Sequence, residues 1–423
     1  MQLTEITVFP HDHFSRDVSL LPKKTALIKG AGPAGLTTAF KLLKAGYDVT
    51  IVDRREDIFS RFNIVNINVE ADTFLEEFGL LEEFQASVAA RIKEHEVFLI
   101  TKAGARRVEH SKVFGLKHDK SIPFEREHFN KLFTKDGVYS VQIGALQRFL
   151  VQQLSKAGVK IITHAETDIL ERTETGGIST VQIRKIDGVS SPIILKPDRV
   201  YIAEGAHSET AELLQMRTKV IENECSNESW AFANLEYNGA ETFVTSFFDT
   251  TQKTLRIANV IFNAKSHIVN VAVTSDKAGM QEAILEFAQI AFKLKNIEAL
   301  PKILNMVEEP VTITNKIAVD FSLGNVRRVG DAGGVSSPLA GLGAALCLTL
   351  VPDTVGKDLN TQDSEDFDKN SEAYVLRWVD KSVTVKNIGL KCFKAEQAAT
   401  AQAQAEEQAA AAPPLEEEKT HDD

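Results

Sequence analysis

Cysteine is scarce in this chain. Its 423 residues hold three, Cys225, Cys347 and Cys392, with no CxxC spacing and no histidine pattern beside them. An odd, sparse count argues against a disulfide framework and a structural zinc site, and it favours a reducing compartment. None of the ten histidines forms an HExxH pair, the helical spacing that sets two imidazoles on one zinc. No Gly-x-Ser-x-Gly elbow occurs, so the context of a serine nucleophile is missing. Net positive charge is also absent. The 48 basic and 59 acidic residues give −11, whereas a nucleic-acid binder would show a basic face. Met1 to Phe14 contains no apolar run, so no secretory signal is expected and a cytoplasmic location is. The longest uncharged stretch, 333–352, opens with glycines, serines and Pro338. It reads as a loop leading into a buried helix, and no membrane span is expected.

What is present is an ordinary globular composition, 43% hydrophobic and 25% charged, long enough for two or three domains. The acid is uneven. The stretch 396–423 holds eight acids and one lysine, so −7 of the −11 lies there. That Ala/Gln/Glu-rich tail has almost nothing to bury and is expected to be disordered.

Apolar runs at Thr25–Ile28 and Val49–Val52 flank a helical pattern from Ala34 to Gly46, a βαβ opening suited to a parallel sheet. Further helices are predicted over Ile143–Lys156 and Met280–Leu294. A third strand is predicted over Val159–Thr163, a hairpin through Asp187-Gly188, and another strand over Arg199–Ala203. Phe243–Phe248, Leu255–Phe262 and His267–Thr274 are rich in Val, Ile and Phe and read as an antiparallel sheet. Val326–Val329 returns to a strand. The expected organisation is a discontinuous nucleotide-binding domain (1–90, 139–215 and 322–395) and an interleaved smaller domain (91–138 and 216–321).

The sharpest motif is Gly30-Ala31-Gly32-Pro33-Ala34-Gly35, placed after a strand and opening a helix. Gly30 permits the tight turn, Gly32 lets the backbone approach a pyrophosphate, and Gly35 lets helix and strand pack closely. The helix start supplies free N–H groups to the phosphates. Asp53, at the end of the second strand, is placed to accept ribose hydroxyls. A second motif, Val329-Gly330-Asp331-Ala332, leads through Pro338 to Gly341-Leu342-Gly343 and an apolar helix. An aspartate at a strand end can hold a ribityl hydroxyl, and helix-opening glycines can bring N–H groups toward a flavin edge.

With both motifs the chain resembles the FAD-dependent aromatic hydroxylases, the class A flavin monooxygenases. That resemblance implies an α/β fold, a Rossmann-like FAD-binding domain with a GR2-type parallel sheet, interleaved with an α+β antiparallel-sheet substrate domain. The run from Asp53-Arg54-Arg55 to Phe59-Ser60-Arg61-Phe62-Asn63, and Gln142-Ile143-Gly144-Ala145-Leu146-Gln147, resemble MICAL-type monooxygenases. By that likeness Arg54, Arg61, Asn63 and Gln147 would lie at the FAD. Several residues depart from the family pattern. Lys29 stands where a small or apolar residue is usual, and Glu204 takes the place of the Asp in an Asp-Gly motif. Gly144 and Ala145 replace polar residues, Arg327 and Arg328 sit in a strand usually apolar, and Asn68 replaces a tryptophan.

The resemblance implies FAD as cofactor and NAD(P)H as a transient co-substrate or, with no second GxGxxG in the chain, a reductase partner. The implied reaction adds one oxygen atom to a small aromatic or apolar substrate, or to a protein methionine. In such chemistry the cofactor carries the reaction, and no catalytic side chain is nominated. The competing reading is a non-catalytic flavoprotein used as a binding module. Leu415-Glu-Glu-Glu418-Lys419 resembles the glutamate-rich signals of exported bacterial effectors.

Overall fold

The computed structural model describes residues 23–67, 70–102, 104–108, 138–188, 191–220, 229–252, 254–298, 302–308, 311–312, 316–334, 343–361 and 365–372, with a few helical positions beyond. Asn68, Gly341, Leu342 and the 403–423 part of the acidic tail lie outside the described residues.

The first strand, Thr25–Lys29, is central in a six-stranded sheet. The order is Ser322–Leu323, Val326–Arg328, Arg199–Ile202, Thr25–Lys29, Asp48–Val52, Lys160–Ile162. All neighbours pair in parallel except Ser322–Leu323, which runs antiparallel at the edge. The central strands are buried on both faces, which is why they read as continuous apolar runs without alternation. The helix Pro33–Lys44 starts with proline at its first turn, where the missing N–H costs nothing, and buries nine of its residues. It packs against Ile143–Lys156 and Gly343–Thr361. Phe40, Phe74 and Phe78 close this layer, with ring centroids 5.1–5.7 Å apart.

A second, larger sheet carries the strands Phe243–Asp249, Arg256–Asn263 and Ile268–Thr274, with Ser229–Glu236 and Ile303–Met306 on one side and Glu94–Thr101 and Gly104–Val108 on the other. Its pairing is antiparallel apart from Phe243–Asp249 against Glu94–Thr101. The helix Met280–Leu294 covers one face through Ile284, Phe287, Ala288 and Ala291. Between the two large sheets lies a small one, Ile64–Ile67, Tyr139–Gln142 and Ala90–Arg91.

The predicted hairpin through Asp187-Gly188 forms, and a strand that was not predicted joins it. Ala165–Arg172 pairs with Ile178–Lys185 to make a three-stranded antiparallel sheet. Glu166, Asp168, Glu171 and Arg172 dominate that strand, and its apolar residues do not alternate, since Ile169 packs inward while its neighbour Leu170 is exposed. No helix among the described residues is long and apolar enough to cross a membrane.

Candidate functional site

The Gly30–Gly35 turn is built by contacts that tolerate no side chain at two positions. Gly30 has φ +110°, and a Cβ there would lie 2.3 Å from the Ala203 carbonyl oxygen. A Cβ on Gly35 would lie 2.0 Å from the Gly30 carbonyl oxygen, so helix and turn close directly on one another. Gly32 differs: no atom comes within 4 Å of where its Cβ would be. The turn is thus packed beneath and open above Gly32. No side chain caps the helix that follows, which leaves its first N–H groups to an anion.

Asp53 ties this turn down. Its carboxylate accepts from the Ala31 N–H at 2.7 Å, from the Arg55 N–H and Nε at 2.9 Å each, and from Arg55 Nη2 at 2.8 Å. Burial pushes the carboxyl up, but these hydrogen bonds and the Arg55 charge outweigh it and hold the group below its usual range. Four donors fill the acceptor sites of the carboxylate, so in this arrangement Asp53 shapes the turn. Arg55, which was not nominated from sequence, is its partner. Arg54 instead forms an exposed ion pair with Glu209 at 2.7 Å.

Gln147 lies fully buried under the turn and donates its Nε2–H to the Ala31 carbonyl at 3.0 Å, while its Oε1 has no hydrogen-bond partner. The 59–63 segment passes the start of the Gln147 helix. The Arg61 carbonyl accepts from Gly144 and the Asn63 carbonyl from Ile143, both at 3.0 Å. A Cβ on Gly144 would come within 2.4 Å of the Phe59 carbonyl oxygen, which explains the glycine there.

The second motif meets the first. Gly330 (φ +60°) and Asp331 sit in a 3-10 turn, and a Cβ on Gly330 would lie 2.5 Å from Ala34 Cβ. Burial pushes the Asp331 carboxyl up to about 6, against the pull of the Arg61 charge. Arg328 clamps the turn by donating from Nε to the Ala332 carbonyl at 2.7 Å. Cys347, at the start of the last long helix, is a buried free thiol whose pKa burial raises.

Two of the departures from the family pattern are partners. Lys29 Nζ lies 3.0 Å from Glu204 Oε1 and also donates to Thr210 Oγ1. Glu204 further accepts from Ser208 Oγ at 2.7 Å and from Thr210 N and Oγ1 at 3.1 and 2.8 Å. Arg327 is likewise matched, by Asp358 at 2.9 Å, and Asp358 also accepts from the Tyr201 hydroxyl at 2.9 Å.

A cavity of about 750 Å³ opens elsewhere, among Lys93, Tyr237, Phe243, Phe292 and Lys295. None of the motif residues lines it. Among the described residues no cluster of His, Cys, Asp and Glu could hold a metal ion.

The packed turn, the open position over Gly32, the orphaned Gln147 oxygen and the Gly330-Asp331 turn against Ala34 bring the two sequence motifs together. Residues 23–349 match the family described as FAD binding domain, and the chain belongs to it. Its fold is that of the class A flavin monooxygenases. PnpA, a p-nitrophenol 4-monooxygenase of Pseudomonas putida, superposes with TM-score 0.63 at 17% identity, over 88% of this chain and 89% of PnpA. PqsL of P. aeruginosa, solved with 2-aminobenzoylacetate, gives 0.62 at 17% identity, over 86% and 94%. Aklavinone-11 hydroxylase, solved with FAD and aklavinone, gives 0.59 at 17%, over 80% and 63%. No curated protein matches in sequence.

Proposed function

We propose that the protein is a FAD-dependent monooxygenase that draws electrons from NAD(P)H and places one oxygen atom on a small apolar substrate. The observation that carries this reading is the meeting of two motifs some 300 residues apart, Gly330 against Ala34, around a cradle open only at Gly32. That geometry fits FAD. In the turn from Gly30 to Gly35 the Gly32 N–H would face the pyrophosphate at the open helix start, with Ala31, Pro33 and Ala34 shaping the backbone between the glycines. Asp331 would accept a ribityl hydroxyl, and Gly341, Leu342 and Gly343 would border the ring. Arg61, Asn63 and Gln147 would complete the wall, Gln147 through its unmet oxygen. Bound FAD would supply the redox chemistry and the activation of oxygen. The protein residues orient it and exclude water. In the same reading the substrate part of the chain is the large antiparallel sheet, packed against the small sheet beside the cofactor segment.

The test starts with colour. The purified protein should bind one FAD, with the absorbance of an oxidised flavin, and NADPH or NADH should bleach it. A protein that takes up no FAD under any condition removes the proposal. A bound flavin that dithionite bleaches and nicotinamides do not would assign the electrons to a partner reductase. A flavin that nothing reduces would favour the binding-module reading.

A further inference from the structure

The cavity of about 750 Å³ takes no part in the cofactor cleft, and its lining has a chemistry of its own. It opens at the end of the large sheet where Ser229–Glu236 finishes and Phe243–Asp249 begins, on the side covered by the helix Met280–Leu294. Its floor is aromatic. Tyr237, Phe243 and Phe292 belong to the core between sheet and helix, and the Tyr237 and Phe243 rings lie 6.4 Å apart, edge to face. The rim is built around them. A Cβ on Gly239 would lie 2.3 Å from the Tyr237 hydroxyl oxygen, so glycine lets the loop fold down there. That hydroxyl donates to the Glu241 carbonyl at 2.7 Å and ties down the far side of the loop.

The charged side chains of the lining are two lysines and three glutamates. Both lysines are taken. Lys93 pairs with Glu241, and Lys295 pairs with Glu94 and Glu96. Glu236 is the charge left over, with no ion-pair or side-chain hydrogen-bond partner among the described residues. The side-chain amides of Asn238 and Asn296 have none either. The helix Met280–Leu294 ends at this cavity, and the C-terminal pole of its dipole adds to the same negative sign. The floor already carries a cation, since Lys295 Nζ lies 4.4 Å from the centre of the Phe243 ring. Asn296 has φ +54° just past the helix end, where glycine is the common residue. Asparagine keeps that turn and adds an amide to the lining.

We propose that this cavity binds a small organic cation, a primary ammonium on an apolar body. An ammonium has three donors and no acceptor. Glu236, Asn238 and Asn296 supply acceptor groups that no other side chain competes for, and Glu236 supplies the counter-charge. The apolar body lies over Tyr237, Phe243 and Phe292. A carboxylate ligand would instead meet Glu236 and find both lysines engaged. The site stands apart from the proposed oxygenation and needs no flavin, because none of the motif residues lines it.

The probes are phenethylamine, phenethyl alcohol and phenylpropanoate, which share an apolar body and differ in charge. Isothermal titration at neutral pH should show the amine bound about tenfold more tightly than the alcohol, and the carboxylate more weakly than either. The preference for the amine should shrink as salt rises from about 0.02 to 0.5 M, because screening weakens the Glu236 attraction. Glu236→Gln keeps the size of the side chain and removes its charge. It should cut the preference about fivefold and leave the alcohol within about twofold. Asn296→Gly keeps the left-handed turn and removes the amide, so it should cut amine affinity about threefold with no fall in melting temperature. Equal affinity for amine and alcohol, tighter binding of the carboxylate, no detectable amine binding in the millimolar range, or a preference that both variants leave intact would overturn the inference. So would amine binding that appears only when FAD is bound. FAD uptake is read separately from absorbance, so loss of the flavin reading and loss of the amine site appear as different results.

Discussion

At the scale of the residue, the chain corrects its own irregularities in pairs. A lysine ending a central strand and a glutamate in a motif that normally carries aspartate look like two separate defects in sequence. Strand order makes them one contact, because Lys29 lies opposite Ile202 in the register, two residues before Glu204. Burial pushes the Glu204 carboxyl up, but the Lys29 charge and the hydrogen bonds from Ser208, Lys29 and Thr210 hold it below its usual value. A lowered carboxyl contributes stability that is present above its ordinary pKa and lost as pH falls through the folded value. Lys29→Met leaves that carboxylate half-buried and unpaired. It should lower stability by about 1–3 kcal/mol at pH 7 and much less near pH 4, as read by thermal melting. The double variant with Glu204→Leu should recover most of the loss. An undiminished loss in the double variant would mean that the pair is not the cause.

Asp331 behaves in the opposite sense. Its folded value, about 6, lies above the ordinary carboxylate value of 3.8. Between these two the folded protein holds a proton that the unfolded chain has released. The associated stability is therefore complete below the ordinary value and lost as pH rises through about 6. Asp331→Asn should stabilise the flavin-free protein by about 2 kcal/mol at pH 7.5 and have little effect at pH 4. The same substitution should weaken FAD binding, since a carboxylate accepts a ribityl hydroxyl more strongly than an amide does. Melting curves with and without FAD at the two pH values separate the effects. A variant that loses stability at pH 7.5 would contradict the assignment of Asp331 as a strained, cofactor-waiting acid.

At the scale of the element, the glycines of the first turn divide by task. Gly35→Ala drives a methyl into the Gly30 carbonyl and should destabilise the protein with or without cofactor. Gly32→Ala meets nothing in the protein, and its φ of −72° suits alanine. It should therefore melt at or slightly above the parent temperature and still lose FAD affinity by about tenfold or more, because the added methyl occupies the approach of the phosphates. A Gly32→Ala protein that binds FAD normally would mean that the open space is not the cofactor path. These elements were the legible ones. The strand–turn–helix opening and the helix Met280–Leu294 announce themselves through glycine spacing and apolar periodicity. The strand Ala165–Arg172 does not, because one face is solvated and its pairing supplies the stability that its composition conceals. Arg55 was equally hidden. An arginine two residues past an acid is unremarkable in sequence, and only the closure of the turn shows its guanidinium on Asp53.

At the scale of the whole molecule, the proposed site belongs to no single segment of the chain. The turn at 30–35, the loop at 59–63, the helix start at 143–148 and the turn at 330–334 are distant in sequence and meet through Asp53, Gln147 and Gly330. A ligand held by all four must tighten them together, since binding only the native arrangement stabilises it by mass action, by about 2.7 kcal/mol at a hundredfold excess over Kd. Hydrogen exchange with and without FAD should show this as concerted protection of those four segments. The three-stranded sheet of Ala165–Arg172, Ile178–Lys185 and Ile193–Leu195 touches the Asp53 backbone only at its first residue, Ala165, and the strands Ile178–Lys185 and Ile193–Leu195 should exchange at an unchanged rate. Protection of 30–35 alone would indicate a nucleotide bound at the first turn only, with the Gly330-Asp331 turn serving the fold. Protection spread evenly over the whole chain would indicate general stabilisation and no shared site. Protection confined to the four segments is the outcome that ties the two motifs, far apart in the chain, into a single cofactor cleft.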